Sequence, residues 1–342
     1  VSGIEPWVAE SRDELLAGVD SRVVVDPGDA RSGSVFERVV IDGEPRFVKT
    51  LGYRTDWIMR ITGDRDLRTL KIWRAGIMRD APPEIDHAVV GMAADGTDED
   101  ALLTILMRDV GDTLFDEGDT KITVAEQARL LDGLAALSAH YWEWTDDLGL
   151  TTMEERLRFF APDNIAAEAA VDDPPGPIRV AMQGWPMLAE RSPDLFELLT
   201  AIHASPHPLV DALRSTPSTF LHGDWKMGNL GLHPDGRTVL LDWAYPGAGP
   251  VLWDLAWYLA LNAARLPGSK EAAIEGLREA LERRGVATAG WYDLQLDLCV
   301  LGMAACFGWE KAVGDEDELR WWEQHALRGA RHLADTYPFP RS

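Results

Sequence analysis

The run FLHGDWKMGNLGLHPDGRTVLLDW, from Phe220 to Trp243, constrains this chain more than any other stretch. It starts as a short apolar strand, passes through a polar loop, turns at Asp235-Gly236 and ends a second apolar run on Asp242. Stable strands need no acid or carboxamide at their rims. His222, Asp224, Asn229 and Asp242, gathered around two turns, therefore point to a site. Asp224 and Asn229 stand five positions apart on one loop, and Asp242 follows Asn229 by thirteen. A carboxylate and an amide oxygen on neighbouring loops can share a hard cation such as Mg²⁺, which prefers oxygen ligands. A second carboxylate, left free of the metal, can orient a hydroxyl nucleophile. That division of labour suits phosphoryl transfer from ATP.

At 342 residues the chain is long for one core, so two lobes are expected. Residues 1–20 hold an acidic amphipathic stretch that reads as a short helix. Val23–Val25, Val35–Ile41 and Arg46–Leu51 are β-branched runs separated by Gly, Pro and Asp. They read as an antiparallel meander with a tight turn at Asp42-Gly43. Leu67, Leu70, Trp73 and Ile77 recur at helical spacing and predict one helix over 64–80. PPEIDHAVVGMA and ALLTILMRDV supply further strands. Beyond VGDTLF the pattern turns helical. Helices are expected over 124–144, 187–205, 253–264, 271–284, 291–309 and 317–336, with three prolines breaking 206–217. The fold class is thus α+β: a small β-rich lobe over 1–108, a connector near 107–113, and a larger helical lobe over 109–342. A cleft between such lobes favours ligand binding.

Composition excludes several function classes. With 57 acids against 33 bases the net charge is −24, which repels nucleic-acid backbones and favours Mg²⁺ or cationic ligands. Cys299 and Cys306 stand seven apart in an apolar segment and read as buried thiols, neither zinc ligands nor a disulfide framework. The first residues, VSGIEPWVAESRDELL, lack a basic and an apolar leader region, and no run approaches the roughly 18 apolar residues of a membrane span. No membrane association is expected, and the chain is expected in the cytoplasm.

HGDWKMGN followed by LLDW resembles the catalytic and metal-binding motifs of the aminoglycoside phosphotransferase (APH) and choline kinase family, which has the protein-kinase-like two-lobed fold. The resemblance covers roughly residues 20–330, and only the motif parts are specific. It implies ATP and Mg²⁺ as cofactors and a small-molecule hydroxyl acceptor as partner. By that resemblance Asp224 is the catalytic base, His222 braces the catalytic loop, Lys226 contacts the transferring phosphate, and Asn229 and Asp242 hold Mg²⁺. Lys49, at the end of the strand PRFVK, would reach the α- and β-phosphates, with Asp66 (or Asp64) as its acidic partner. Gly28, Gly33 and Ser34 in DPGDARSGSVF occupy the place of the phosphate-covering loop. Backbone groups around Met107–Asp109 would bind adenine, with Ile105 or Met107 against its ring. Asp254 resembles the family's buried acid beneath the catalytic loop.

Trp225, Trp243 and Trp309, among 14 tryptophans, could line a pocket for a sugar or an ammonium. The acids at Glu310 and Asp315–Glu318 would suit a cationic acceptor if they close over it. The acid excess favours an amino sugar, an aminoglycoside-like compound or an amino alcohol. Two other classes stand beside this one. A nucleotide-binding pseudokinase would have lost turnover, but Lys49, Asp224, Asn229 and Asp242 are all present. A metal-dependent hydrolase would use His222, Asp224, Asp242 and His233, but without HxH or HExxH spacing. A protein kinase is disfavoured by DW in place of DFG and by the missing APE signature.

Overall fold

Asp42 and Gly43 both take left-handed backbone angles, with φ of 52° and 77°, and so close a two-residue hairpin turn. The turn sets the register of the strands Val35–Ile41 and Glu44–Gly52, with Ile41 opposite Glu44 and Phe36 opposite Lys49. In this computed structural model, which describes residues 6–25, 32–115 and 118–334, the hairpin sits inside a six-stranded sheet. Across the sheet the strands run Val8–Ala9, Val89–Asp95, Leu102–Arg108, Glu44–Gly52, Val35–Ile41, Val19–Val25. All neighbours are antiparallel except Val8–Ala9, which pairs parallel with Val89–Asp95.

Three helix boundaries differ from expectation. The single helix over 64–80 is instead two short ones, Trp57–Thr62 and Arg68–Arg74. Gly63 takes φ 66° and ends the first. The Asp64 carboxylate then accepts the Arg68 N–H at 3.0 Å at the start of the second. The helix over 187–205 is split into Gly176–Arg191 and Pro193–Ala204, because a proline forces the preceding Ser192 into extended backbone. The proline-rich 206–217 holds a helix, His207–Arg214, since Pro208 lies in its first turn, where no N–H is needed. At the N-terminal end the expected short helix forms over Arg12–Leu15, capped by Ser11, after the two-residue strand Val8–Ala9.

The C-terminal part is mainly helical, so the α+β class holds: a sheet-rich N-terminal region and a helical remainder. Its longest helix, Tyr292–Val313, is buried nearly all round and serves as a central post. It packs against Glu316–Arg331, Gly176–Arg191 and Trp253–Leu261. The quoted stretch forms the strand Ser218–Leu221, then the hairpin Leu230–Leu232 and Thr238–Leu240. Thr238–Leu240 also pairs parallel with Ile85–Asp86, and Ser218–Leu221 pairs with Gly247–Pro250. One apolar core runs from Leu103, Ile105 and Met107 of the sheet to Leu240 and Phe307 among the helices. No helix among the described residues is long and apolar enough to cross a membrane.

Gln295, fully buried on the central helix, ties the scaffold of the site together. Its carboxamide oxygen accepts the Leu252 N–H at 2.9 Å, at the start of the helix Trp253–Leu261. Its nitrogen donates to Thr216 Oγ1 and to the Pro217 carbonyl, both at 2.7 Å, just before the strand Ser218–Leu221. Gln295→Leu would strand the Leu252 N–H in the interior, while the Pro217 carbonyl keeps the Val251 N–H at 3.3 Å. Leaving such a buried group unpaired costs about 1–3 kcal/mol. The expected outcome is a loss of about 1–3 kcal/mol of unfolding free energy, read by urea denaturation at unchanged m-value.

Candidate active site

The polar loop after Leu221 is held from below by one acid. Asp254, 1% exposed in the first turn of its helix, accepts the His222 N–H at 2.9 Å through one oxygen and the Gly223 N–H at 3.0 Å through the other. Gly223 takes φ 86°, and a Cβ there would lie 2.0 Å from the Tyr245 carbonyl oxygen, so only glycine fits. The His222 ring is fully buried against Trp243, and burial pushes its pKa down to about 4. The ring is therefore neutral. Its Nδ1 accepts the Asp224 N–H at 3.2 Å, which assigns the proton to Nε2. Nε2 itself has no hydrogen-bond partner among the described residues. Asn262 closes the other end of the loop by accepting the Met227 N–H at 2.9 Å.

This bracing aims the Asp224 carboxylate. One oxygen accepts the Trp257 indole N–H at 2.8 Å. The other accepts the Asn229 amide at 2.7 Å and meets Lys226 Nζ at 2.9 Å. Asn229 donates again to the Asp224 carbonyl at 3.0 Å. Its nitrogen faces Asp224 in both bonds, which turns its oxygen the other way. Leu241 N–H donates to the Asn229 carbonyl at 2.9 Å, so Asp242 is carried beside Asn229.

Asp242 takes φ 57°, an uncommon angle for a non-glycine residue. One of its oxygens accepts Lys49 Nζ at 2.8 Å, and the Lys49 side chain is only 10% exposed. Burial by itself lifts the Asp242 carboxyl. The Lys49 ammonium, by charge and hydrogen bond, then Lys226, outweighs this and holds it below the usual carboxylate range. The second Asp242 oxygen and the Asn229 amide oxygen take no hydrogen bond from another described residue. Two adjacent oxygen donors, one charged, fit Mg²⁺, which takes its remaining ligands from phosphate and water. No group of three His, Cys, Asp or Glu side chains suited to a metal exists among the described residues.

The sequence model of the phosphotransferase enzyme family, APH, matches residues 84–292, more than half of the chain. The chain belongs to this family. Its catalytic loop and its Asp242 hairpin both fall within the matched span. No curated protein sequence matches the chain. Among solved structures, choline kinase LicA from Streptococcus pneumoniae is 14% identical, covers 94% of this chain and 96% of its own, and superposes with a TM-score of 0.46. A thermostable mutant of aminoglycoside phosphotransferase APH(4)-Ia, in a ternary complex with ADP and hygromycin B, is 14% identical over 94% of this chain and 97% of its own, with a TM-score of 0.49. Amicoumacin kinase hAmiN, in complex with AMP-PNP, Ca²⁺ and Ami, is 12% identical over 93% and 90%, with a TM-score of 0.42.

Several expected residues of this phosphotransferase lie elsewhere. Asp66 is not the partner of Lys49. It lies just before the helix Arg68–Arg74, its side chain is 76% exposed, and it meets Lys71 at 3.3 Å. Asp64 caps that helix. The acid that pairs with Lys49 is Asp242, and a second acid, Asp56, which sequence reasoning missed, feels its charge. Asp56 is buried and caps Trp57–Thr62, accepting the Ile58 and Met59 N–H groups and the Ser34 hydroxyl at 3.0 Å. Burial raises its pKa, against the pull of Lys49. An Asp directly before the apolar run WIMRIT was the available signal. Gly33 packs onto the Thr55 carbonyl, so the described part of the phosphate-covering loop is pinned to the Asp56 cap. Gly28 lies outside the described residues.

Met107, nearly buried, pairs with Phe47 and Val89. The Asp109 carboxylate is engaged by Arg38 at 3.1 Å and by the Gly111 N–H at 3.1 Å. Trp225, Trp243 and Trp309 are 0%, 2% and 4% exposed and belong to the core, not to an open pocket. The acids after Trp309 are engaged by the protein itself: Glu310 by Lys311, Glu318 by Lys270 and Trp322, Glu316 and Asp317 by Arg320. Asp315 caps the last helix. His233 meets Asp86 at 2.6 Å instead of joining Asp224 or Asp242.

Two variants check this electrostatic frame. Asp56→Ala would remove the cap and the Ser34 anchor, with an expected loss of about 1–2 kcal/mol in urea unfolding. Lys49→Met would remove the charge that depresses Asp242. A depressed carboxyl contributes stability above its unfolded pKa of about 3.9 and loses it as pH falls through the folded value. The wild type should therefore exceed Lys49→Met in stability at pH 7, and the gap should close under acid conditions below that pKa.

Proposed function

We propose that this phosphotransferase is an ATP- and Mg²⁺-dependent small-molecule kinase that transfers the γ-phosphoryl group to a hydroxyl. The observation that carries this reading is the state of the Asp224 carboxylate. A carboxylate offers roughly four acceptor positions. Trp257, Asn229 and Lys226 occupy three. One direction remains for an acceptor hydroxyl, and the three donors fix where it lies. Asp224 would orient that hydroxyl and take its proton as the new bond forms.

The other residues divide the phosphate charge among them. Mg²⁺, when bound by Asn229 and Asp242, would neutralise charge on the β- and γ-phosphates. Lys49 lies on Asp242 and would reach the α- and β-phosphates, while Lys226 lies beside Asp224, where the transferring group would pass. Gly33 and Ser34 would cover the phosphates, and backbone groups around Met107–Asp109 would take the adenine. Residues 1–108 would then form the nucleotide lobe and 109–342 the catalytic and acceptor lobe. For the acceptor, the net charge of −24 favours a cationic alcohol such as an amino sugar, an aminoglycoside-like compound or an amino alcohol.

The test is ATP consumption with Mg²⁺ against a panel of such acceptors, with Asp224→Asn in parallel. Acceptor-dependent turnover is expected to fall by about 10²–10⁴-fold in Asp224→Asn. Mg·ATP binding without turnover on any acceptor would favour the pseudokinase, and no ATP binding would end the kinase reading.

A further inference from the structure

Arg156 lies fully buried on the short helix Met153–Leu157. Its Nη2 donates to the Tyr245 carbonyl at 2.8 Å, and its guanidinium lies 4.5 Å over the Tyr245 ring. Among the described residues its Nε and Nη1 have no hydrogen-bond partner, and no carboxylate pairs with it directly. A guanidinium does not shed its proton in proteins, and an uncompensated buried charge is strongly unfavourable. A compensating charge therefore has to lie near. Gly223 shows where. A Cβ at Gly223 would come within 2.5 Å of Arg156 Nη1, and the Gly223 N–H donates to Asp254. Guanidinium and carboxylate thus both abut one residue of the catalytic loop.

We propose that Arg156 is a positioning residue for phosphoryl transfer: its buried charge keeps Asp254 ionised, and ionised Asp254 holds the His222–Gly223 turn that aims Asp224. The link to turnover rests on the kinase reading; the charge coupling does not. Asp254 faces two N–H donors, so only the carboxylate can accept from both. A protonated acid would put an O–H against a donor and loosen the turn. Burial drives Asp254 toward that protonated form, up to about 6, and Arg156 is the cation that opposes it. Asp224, on the loop, pushes in the same direction as burial. His222 is neutral, and the Cys299 thiol on the central helix is raised by burial and also neutral. Arg68 and Cys306 are the other nearby groups that act on Arg156, and the Cys306 thiol donates to its backbone carbonyl at 3.2 Å. Because the Asp254 value is raised, folding favours its proton. Stability from this group falls as pH rises from the ordinary carboxylate value toward about 6, and Arg156 limits that loss.

The experiment follows the Gly223 amide proton by NMR through a pH titration of the full chain. In the wild type its shift should report Asp254 with a midpoint near 6. Arg156→Gln should move that midpoint up by about one pH unit or more, and Arg156→Lys should keep it near the wild-type value. The acid limb of kcat should move with the midpoint while the KM for ATP holds. An unmoved midpoint in folded Arg156→Gln overturns the proposal, whatever happens to stability. If Arg156→Gln does not fold, Arg156→Lys carries the test: because it keeps the charge, it is expected to fold with the midpoint near the wild-type value. An Arg156→Lys as defective as Arg156→Gln, or with its midpoint raised by about a unit, also overturns it. A shifted midpoint in a protein that turns over no acceptor would sustain the coupling and sink the kinase reading.

Discussion

The site depends on Asp254, a buried carboxylate. It lies beneath the loop and binds two consecutive backbone N–H groups, His222 and Gly223. Those two bonds set a turn that only glycine can make at Gly223, and the turn presents Asp224 upward. Every other contact at the loop presupposes this one. The Asp224 N–H reaches His222 Nδ1, and Asn229 reaches back to Asp224 at backbone and side chain, only because the turn has been made. Asp254 is in place because Gln295 on the central helix binds the N–H of Leu252 where its helix begins. The chain of dependence therefore runs from a buried amide, through a buried acid, to the Asp224 carboxylate.

Above the loop the arrangement is one of alternating charge. Asp56, Lys49, Asp242, Lys226 and Asp224 follow one another, acid and base in turn, in a protein with 24 more acids than bases. Elsewhere the acid excess is dispersed over an exposed surface, where it carries little stability. At the site two of only six lysines are set against acids, and each has a phosphate-facing task in the proposed reaction. The Lys49–Asp242 pair also joins the sheet to the metal hairpin across 193 residues of chain. In the proposed reaction the side chain that would reach the phosphates and a side chain that would hold the metal are thus placed by one interaction.

The site was largely legible because its residues are local. Asp224 and Asn229 lie on one loop and Asp242 on the hairpin that follows, so spacing alone reported them. The meander was legible for the same reason: Asp42-Gly43 and alternating β-branched runs carry their own geometry. Two readings failed where the pairing of charges, local or distant, depended on how the fold orients the side chains. Asp66 stood near the helical apolar face in sequence, but Lys71 captured it and left Lys49 to Asp242 and Asp56. The acids at Glu310 and Asp315–Glu318 would have suited a cationic acceptor if they closed over the site, but Lys270, Lys311 and Arg320 engage them and Asp315 caps a helix. Partner choice among charges depends on which side chains the fold brings together, and composition holds no record of that.

By itself the sequence determined the strand-loop-hairpin that carries Asp224, Asn229 and Asp242, together with the α+β division of the chain. Turn residues, periodicity and spacing act within a few residues of themselves, so they are readable without the fold. Only the tertiary structure decided that Asp56 feels the charge of Lys49, that Trp257 steers Asp224, and that Arg156 and Asp254 flank Gly223. Each of these joins groups from separate elements through burial. A buried charge takes its character from whatever the whole fold places beside it.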